Sequence, residues 1–506
     1  MTRAEIESVF SRRPAPGSYL RCIGRRIGRA PLLAGAAAAV LAAPLPHATA
    51  GGEECTAAES IEAIALEGDP APGTGAAFQT FDRPSLSESG AVCFTADTDG
   101  PGAEDDVVYR DETLIAREGD PAPGTEGVFA SFEFFETGRQ IGVSGDVVFI
   151  ATLRDLPERA DRGVYLNDEL IAWKGTEAPM IPGRFYDDFG YAAVTDDRVV
   201  GYLADLDGSG SDDSVIFLSG LPLYRQSDAV PGLGETTWDG DFSELQLNGR
   251  GDLLFVGNTS LPSDRDVVVY RRALAGPGGA LEEIVVQEGQ VVPARDGDDS
   301  IALFVQVALA ETGAWAVRGN LELAPADADA VILTEAGFFA QEGAPVAAMP
   351  GARTGNFNGL DMNGLGDVLY LADLEGDTPP GVSEGLFVNG CLVLANGTAA
   401  PGLPDGTVFD DLGFEDLAIN DRRDIVFAAS YTGAVVGDGL FRLRLPAACP
   451  ADVDRDAMVG LGDLAIVLSG WGACEPPAGC PGDVNADGRV DFADLLAVLS
   501  AWGPCP

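Results

Sequence analysis

NGLGDVLYLA, residues 363–372, is one of seven copies of a polar turn followed by a strand-like run. The other copies are SESGAVCFTA (87–96), GVSGDVVFIA (142–151), TDDRVVGYLA (195–204), NGRGDLLFVG (248–257), AETGAWAVRG (310–319) and NDRRDIVFAA (420–429). Their fourth residues stand at 90, 145, 198, 251, 313, 366 and 423, so neighbouring units are offset by 53 to 62 residues. A motif that recurs at nearly regular spacing indicates a protein built from repeated structural units.

Each unit contains four strand signals. An apolar or aromatic stretch precedes the turn-led strand, and two shorter runs follow it, such as DVVYR (106–110) and TLIARE (113–118). Four short antiparallel strands are typical of one β-propeller blade, so we predict a mostly β chain with a seven-bladed β-propeller of four-stranded blades over residues 51–446. A β-solenoid or a row of small sandwiches is the alternative, although one unit is short for a sandwich of about 100 residues.

The two ends of the repeat region predict that the blades close into a ring. The seventh unit stops after its third strand, GLFRLRL (439–445), whereas a lone fourth-strand signal, IEAIALE (61–67), precedes the first unit. We expect the N-terminal strand to complete the last blade. This arrangement would remove the two exposed sheet edges that an open array leaves.

The string EGDPAPGT occurs at residues 67–74 and again at 118–125. Proline and glycine favour tight turns, so we interpret the string as the connection from one blade to the next. Because neighbouring strands alternate in direction, this connection should share a face of the ring with the loops DTDGPGAED (97–105) and DLDGSGSDD (205–213).

These two loops alternate carboxylates with glycines. Oxygen ligands in such an arrangement can surround Ca²⁺, and solvated acidic turns are the alternative. The candidate ligands are Asp97, Asp99, Asp105, Asp205, Asp207 and Asp213.

Residues 1–50 have the pattern of a secretory signal peptide. Seven arginines precede an apolar run from Ala30 to Ala43, and Ala48-Thr49-Ala50 fits a small-residue cleavage site. The apolar run is shorter than the roughly 20 residues that a membrane span needs. We therefore expect a secreted or cell-surface protein with no membrane span in the mature chain, a retained membrane anchor being the alternative.

The charge balance excludes several partners. The chain has 31 basic and 80 acidic residues, and the first 50 residues hold seven Arg and two Glu, which leaves 24 basic and 78 acidic residues, a net charge of −54. Such a surface repels nucleic acid and anionic membranes and attracts divalent cations.

Two residue types are nearly absent from the chain. The single histidine, His47, lies in the predicted signal, so the mature chain has no residue for a Ser-His-Asp mechanism or a histidine-ligated metal. Lys174 is the only lysine, and therefore the only candidate for Schiff-base chemistry.

The last 58 residues contain two copies of a different motif, at 449–474 and 480–505. In each copy, oxygen-bearing residues stand at the spacing of a calcium loop, followed by an apolar helix. Position 7 contributes a backbone carbonyl, from Met458 and Arg489. The predicted side-chain ligands are Asp452, Asp454, Asp456 and Asp463 in the first loop, and Asp483, Asn485, Asp487, Asp491 and Asp494 in the second.

This duplicated loop-then-helix pattern, with Asp at position 12, resembles the dockerin type I domain over residues 449–506, and we place the domain at residues 447–506. The resemblance implies a small calcium-folded module that docks onto a cohesin in multi-enzyme polysaccharide-degrading assemblies. The partner-reading positions of that family, 10 and 11 of each loop, are commonly small hydroxylated residues. Here they are Leu461, Gly462, Phe492 and Ala493, which leaves a cell-envelope protein open as the partner.

Cysteine usage agrees with export, since seven cysteines remain after the signal is removed. If the two helices of the C-terminal module pack about a pseudo-twofold axis, Cys449 lies near Cys505 and Cys474 near Cys480. Pairing within each copy is the alternative. Cys55 with Cys391 is a further candidate pair, since the two flank neighbouring outer strands.

Two functions are compatible with the sequence. The repeat region, residues 60–446, resembles secreted bacterial tandem-repeat proteins with an NxxGxVAFxA-like motif, which implies no established activity. We expect a non-catalytic binding or scaffold propeller, with a carbohydrate as one candidate ligand, attached to its partner through the calcium module within a polysaccharide-degrading or cell-surface assembly. The alternative is a carbohydrate-active enzyme, an O-glycosyl hydrolase or a polysaccharide lyase, acting in polysaccharide catabolism.

Overall fold

The computed structural model describes residues 58–133, 139–208, 210, 212–275, 279–294, 297–413, 417–446, 449, 451–454, 458–473, 482–484 and 489–504. The predicted signal, residues 1–50, lies outside them. The described residues all belong to one compact unit, Glu53–Pro506. No helix among them is both long and apolar enough to cross a membrane.

Seven antiparallel sheets follow one another along the chain and form a seven-bladed β-propeller, as the repeats predict. In the first six blades, four strands pair in chain order, and the fifth blade has an additional short strand, β18, at its start. The strands of these blades are β2 Phe78–Leu86, β3 Val92–Thr98, β4 Asp106–Arg110 and β5 Thr113–Arg117; β6 Val128–Glu133, β7 Val148–Arg154, β8 Arg162–Leu166 and β9 Glu169–Trp173; β10 Tyr186–Val194, β11 Val200–Leu206, β12 Ser214–Leu218 and β13 Leu221–Arg225; β14 Trp238–Leu247, β15 Leu253–Thr259, β16 Val267–Ala275 and β17 Gly279–Gln287; β18 Val291–Ala294, β19 Gly297–Leu309, β20 Trp315–Leu321, β21 Ala330–Thr334 and β22 Gly337–Gln341; β23 Ala352–Met362, β24 Val368–Gly376, β25 Glu384–Val388 and β26 Cys391–Ala395.

The seventh blade closes the ring with a strand from the other end of the repeat region. Its own strands are β27 Val408–Asp411, β28 Leu417–Ile419, β29 Asp424–Thr432 and β30 Gly437–Arg444. Strand β1, Ser60–Leu66, pairs antiparallel with β30, and Ser60 stands opposite Arg444. The predicted completion of the last blade by the N-terminal strand is therefore confirmed.

The core lies between neighbouring blades. Apolar residues of β7 and β8 in the second blade and of β10, β11 and β12 in the third form one buried cluster, and similar clusters join the other blades. Both faces of a blade are thus covered. This explains why a strand such as β7 begins with four consecutive buried apolar residues, Val148–Ala151, rather than with an alternating pattern.

The EGDPAPGT strings connect the fourth strand of one blade with the first strand of the next, as predicted. Their second residues, Gly68 and Gly119, have φ of 88° and 86°, a conformation that residues with a Cβ rarely adopt. Backbone hydrogen bonds of 2.8 and 2.9 Å from these two glycines to Phe78 and Phe129 start the pairing of the new blade. The string is therefore a structural turn.

The described residues of the C-terminal module form two short helices and two two-stranded sheets. The helices span Leu461–Ser469 and Phe492–Ser500. The sheets join the two sequence copies, since β31 Met458–Val459 pairs with β34 Gly503–Pro504, and β32 Gly472–Ala473 pairs with β33 Arg489–Val490. The end of each loop thus lies beside the end of the other copy's helix, as a pseudo-twofold arrangement requires.

Candidate metal centre

Three carboxylates of the first predicted calcium loop converge in the structure. One oxygen from each of Asp452, Asp454 and Asp463 lies within 4.8 Å of the others. Asp452 and Asp463 are buried, with 6% and 1% of their surface exposed. Among the described residues, no other group of three or more Asp, Glu, His or Cys side chains comes together at metal-ligand spacing.

Asp463 is held in place by the backbone around it. Its Oδ1 accepts hydrogen bonds from the N–H groups of Val453 (2.6 Å) and Asp454 (3.1 Å), and its Oδ2 accepts from the N–H of Gly460 (2.6 Å). Asp463 is the third residue of the first helix, so these bonds tie the loop to the helix N-terminus. Residues from both ends of the loop are thereby held at Asp463.

The second loop has the same helix-terminal anchor. Asp494 is fully buried and its Oδ2 accepts a 2.8 Å hydrogen bond from the N–H of Asp491, whose own side chain caps Ala493. Asp483, at the start of this loop, is among the residues that the structure describes. Three further predicted ligands, Asp456, Asn485 and Asp487, lie outside the described residues.

The carbonyl donors predicted at position 7 both belong to short strands. Met458 pairs with Pro504 and Arg489 pairs with Ala473, so the backbone of each is fixed by the other copy of the motif. The two copies of the motif are thus joined through these short strands.

The three gathered carboxylates suit a hard cation. Ca²⁺ binds oxygen ligands at about 2.3–2.6 Å, so two ligands on opposite sides of one ion lie about 5 Å apart, close to the observed spacing. Like charges this close repel one another in a partly buried site. A cation would offset that repulsion, and carboxylate oxygen is the donor type that calcium prefers.

The predicted partner-binding positions lie at the start of the two helices. Leu461 and Phe492 are 75% and 61% exposed. Gly462 lies against Asp454, one of the three clustered carboxylates, because a Cβ built on Gly462 would overlap its Oδ2. Gly462 therefore belongs as much to the loop packing as to the surface, and its counterpart Ala493 donates its N–H to Asp491.

Sequence reasoning missed most of the apolar surface of this module. Leu468, Trp471, Leu499 and Trp502 are each about half exposed, and they occupy equivalent places in the two copies. Together with Leu461 and Phe492 they form what we call the tail apolar surface. The signal that could have revealed it is the excess of apolar residues, since each nine-residue helix buries a single valine, Val467 or Val498.

The acidic loops of the propeller do not form a comparable site. Asp97, Asp99 and Asp105, like Asp205, Asp207 and Asp213, are not gathered into a group of metal-ligand spacing, although all six are described. Instead, Asp99 Oδ1 accepts from the N–H of Ala77 at 2.8 Å, and Asp207 Oδ1 accepts from the N–H of Phe185 at 2.7 Å. The six carboxylates thus lack the convergence seen at Asp452, Asp454 and Asp463, and calcium binding by these loops stays a prediction.

The structure also changes the cysteine assignments. Cys449 is buried and has a free thiol, so its predicted pairing with Cys505 is wrong. Cys93 is likewise free, and burial among the blades accounts for its raised pKa. Cys391 is disulfide-bonded, and Cys55, its predicted partner, lies outside the described residues.

A small cavity lies where the first strands of several blades meet. Its volume is about 90 Å³, and Glu88, Arg139, Glu311 and Asp361 contribute charged groups to its lining. Burial and the neighbouring Asp421 carboxylate raise the pKa of Glu88 to about 8. Burial likewise raises the pKa of Asp361 to about 7.

A larger groove lies between the second and third blades, beside their connecting turn. It has a volume of about 450 Å³ and is lined by Trp173, Lys174, Phe185 and Asp187, among others. Phe185 is 41% exposed, and the indole N–H of Trp173 donates to the carbonyl of Ala160 at 2.8 Å. An aromatic ring beside polar groups is the kind of surface on which sugars bind.

Comparison with known proteins gives a family and several distant folds. The model of a protein family described as a family of unknown function (DUF7453) matches residues 37–330. No curated protein sequence matches the chain significantly. Similar solved structures include the Dos1 propeller (10% identity, 72% of this chain and 78% of that chain, TM-score 0.33), the polysaccharide lyase Uly1 (10%, 79% and 94%, 0.38) and an oligogalacturonate lyase in complex with manganese (12%, 75% and 98%, 0.32).

Proposed function

We propose that this chain, a member of DUF7453, a family of unknown function, is an exported, non-catalytic β-propeller that binds or scaffolds other molecules and is attached to a partner through its C-terminal calcium module. The partner is a cohesin-like or cell-envelope protein. The assembly is a polysaccharide-degrading or cell-surface one.

The observation that carries the proposal is the convergence of Asp452, Asp454 and Asp463. These residues would hold one Ca²⁺ together with the Met458 carbonyl, and Asp483, Asp491 and Asp494 would contribute to a second. A bound ion would supply positive charge that offsets the repulsion among the carboxylates of the loop. Metal binding in such a loop is coupled to folding, because the ligands are gathered only in the folded state.

The tail apolar surface supports an attachment role. Six large apolar side chains between 48% and 75% exposed in a module of about 58 residues are more than solubility favours. Exposed apolar patches of this kind mark surfaces that another protein covers. Trp471 and Trp502 are suited to such a contact, because tryptophan contributes strongly to binding at interfaces.

The cavities support a binding role for the propeller better than a catalytic one. The cavity of about 90 Å³ is well below the roughly 300–1,000 Å³ typical of small-molecule sites, so the acids that line it have no room for a sugar. Among the three propeller tryptophans, Trp238 and Trp315 are buried. The groove beside Trp173 and Phe185 is therefore the place where a carbohydrate ligand would bind.

Calcium titration of the mature chain, residues 51–506, tests the metal site. We expect two ions per chain by calorimetry, and a change in tryptophan fluorescence as Trp471 and Trp502 become ordered. Asp463→Asn should weaken the first site by more than about 10-fold, because it removes one negative charge and the Oδ2 acceptor that holds the Gly460 N–H. Asp239→Asn, an exposed carboxylate of the propeller, is the matched control and should bind calcium like the wild type.

Two outcomes would contradict the proposal. A chain that binds no calcium, with identical fluorescence and protease sensitivity in calcium and in chelator, would remove the metal module. Release of oligosaccharides from a panel of polysaccharides by the purified protein would replace the binding role with that of a carbohydrate-active enzyme. Pull-down from a cell-envelope fraction in calcium, comparing wild type with Trp471→Ala/Trp502→Ala, tests the attachment surface.

A further inference from the structure

One residue in every blade stands directly after the outer strand, where the turn to the next blade begins. Its backbone N–H donates to a carbonyl at the start of the third strand over 2.8 to 3.3 Å, so the seven positions are structurally equivalent. These outer-strand positions are Glu67, Glu118, Lys174, Gln226, Glu288, Glu342 and Asn396.

The uncharged side chains at these positions show what the position requires. Gln226 Oε1 accepts from the N–H of Asp213 at 3.3 Å. Asn396 Oδ1 accepts from the N–H of Ser383 at 2.9 Å, while its Nδ2 donates to the Ser383 hydroxyl at 3.1 Å. The position therefore favours an acceptor for a backbone N–H and, as Asn396 shows, a donor towards the side chain beside it. An amide provides both.

The second blade meets the donor requirement with a cation. Lys174 Nζ lies 3.1 Å from Asp161 Oδ1, and Asp161 occupies the place that Asp213 has in the third blade. An aspartate at the start of the third strand thus pairs with a cation at the outer-strand position.

In three other blades a glutamate faces the aspartate. Glu288 Oε2 accepts from the N–H of Val267 at 3.3 Å, and its carboxyl group hydrogen-bonds with that of Asp266. Glu342 Oε2 likewise accepts from the N–H of Ala330 at 3.3 Å, and its carboxyl hydrogen-bonds with that of Asp329.

The pair in the first blade has an additional neighbour. The carboxyl of Glu118 hydrogen-bonds with that of Asp105, and Glu118 Oε1 also accepts from Arg154 at 2.8 Å. Two ionised carboxylates cannot hydrogen-bond with each other, because both are acceptors. One proton held between them supplies the donor that Asn396 provides in the sixth blade and offsets negative charge, as Lys174 does in the second.

We propose that three blades carry proton-sharing carboxyl pairs which fasten the inter-blade turns to the neighbouring loops at low pH and loosen them as the pH rises above neutral. The pairs are Glu118 with Asp105, Glu288 with Asp266, and Glu342 with Asp329.

The surroundings of the two simpler pairs favour protonation. The charged group that acts most strongly on Glu288 is Asp266, and those that act most strongly on Glu342 are Asp329 and Glu375. The cations on the adjoining segments are Arg265, beside the turn at Gly289, and Arg353, opposite Glu375. Burial and the partner aspartate raise the pKa of Glu288 and of Glu342 to about 7 from the ordinary 4.5. For Glu118, burial raises the pKa and Arg154 opposes the rise.

The direction of the pH effect follows from these pKa values. Because the folded chain holds protons that the unfolded chain releases above pH 4.5, the pairs contribute their full stability below that pH. The contribution falls as the pH rises to about 7 and is then lost. The face of the ring that carries the inter-blade turns is thus more tightly held in acid.

Thermal unfolding of the full mature chain at pH 5 and pH 8.5, in chelator, tests the pairs. In Glu288→Gln/Glu342→Gln, the amides supply the donor at every pH. We expect the unfolding midpoint at pH 8.5 to rise by about 2 °C or more and the midpoint at pH 5 to stay within about 1 °C of the wild type. Gln226→Glu makes the opposite change, since it creates a fourth pair with Asp213, and should lower the midpoint at pH 8.5 alone.

Two results would overturn the proposal. Equal effects of each substitution at both pH values would show that no proton is involved. If calcium raised the midpoint of the wild type at pH 8.5 but not that of the glutamine variant, the pairs would be cation sites rather than proton sites. The two tests, removal of carboxyl groups in Glu288→Gln/Glu342→Gln and addition of one in Gln226→Glu, are independent. If one variant does not fold, the other still tests the proposal.

Discussion

The asparagine that opens the polar turn in three of the seven repeats is a connector between blades. In Asn248, Asn363 and Asn420 the side-chain Oδ1 accepts from two backbone N–H groups of its own turn. The Nδ2 donates at 3.0 Å to a carbonyl in the equivalent turn of the next blade. One amide therefore fixes both the turn and its neighbour.

Replacing this amide at the ring closure should be costly. Asn420 is fully buried, and its Nδ2 bonds to the carbonyl of Ser87 in the first blade. Asn420→Ala leaves buried backbone groups without partners, which should lower the free energy of unfolding by about 2 kcal/mol or more. Chemical denaturation measures the change, and Asn356→Ala, at an exposed position, is the matched control. Equal, small effects would show that the amide is dispensable.

The sequence predicts the turn at these residues but not the bond to the next blade. Asparagine and glycine favour turns wherever they occur, so a local pattern is sufficient for that prediction. The acceptor of Asn363 belongs to a residue 57 positions away, and only the ring geometry brings the two together. The same limit applies to the carboxyl pairs, whose members are separated by a hairpin.

Within the blades, the second and third strands meet through an aromatic pair. Directly opposed rings are found in six blades, and in five of them the rings are stacked, with interplanar angles of 3° to 25°. The fifth blade has Val317 opposite Leu333 instead. The pairs are Phe94 with Tyr109, Phe149 with Tyr165, Tyr202 with Phe217, Phe255 with Tyr270, Tyr370 with Phe387, and Phe427 with Phe441.

Truncating one of these aromatic side chains should destabilise the whole propeller. Phe149 is 1% exposed, and its ring centroid lies 5.6 Å from that of Tyr165 and 5.5 Å from that of Phe132. Phe149→Ala should lower the free energy of unfolding by about 3–5 kcal/mol, because it removes a buried ring and leaves a cavity. Val436→Ala, at a 76% exposed position, should change it by less than about 0.5 kcal/mol. A loss below about 1 kcal/mol for Phe149→Ala would contradict this account.

The strands are predictable from sequence because their apolar runs and turns recur with the blade. The one large departure in spacing, 62 residues between 251 and 313, also has a structural cause. Strands β16 and β17 extend beyond their counterparts, and β18 forms an extra hairpin with β19.

In the C-terminal module, the ligand spacing predicted the Asp452, Asp454 and Asp463 cluster, whereas the free thiol of Cys449 was not predictable from helix packing.

The whole molecule carries a large excess of negative charge. Its net charge is −49 with the predicted signal and −54 without it. Charges of one sign destabilise a compact state by mutual repulsion. The carboxyl pairs concentrate that repulsion at particular places, while most of the excess is distributed over the surface.

Salt should therefore stabilise the protein. Raising NaCl from 10 mM to 0.5 M shortens the screening length from about 30 Å to a few ångströms. We expect the thermal unfolding midpoint at pH 8.5, in chelator, to rise by at least about 2 °C. The Glu288→Gln/Glu342→Gln variant should show most of the same rise, since it removes two charges of many. A fall in the midpoint with salt would show that attractive ion pairs outweigh the repulsion.

The pairing of β1 with β30 has a consequence for the order in which the molecule is made. Ser60 is synthesised long before Arg444, its partner, so the earliest strand of the propeller is the last to find its place. Contacts between residues so far apart in the chain make folding slow. Until the seventh blade has emerged, the growing chain presents an open sheet edge at each end, to which another copy could add a strand. An unfinished chain is thus the form most in need of a chaperone.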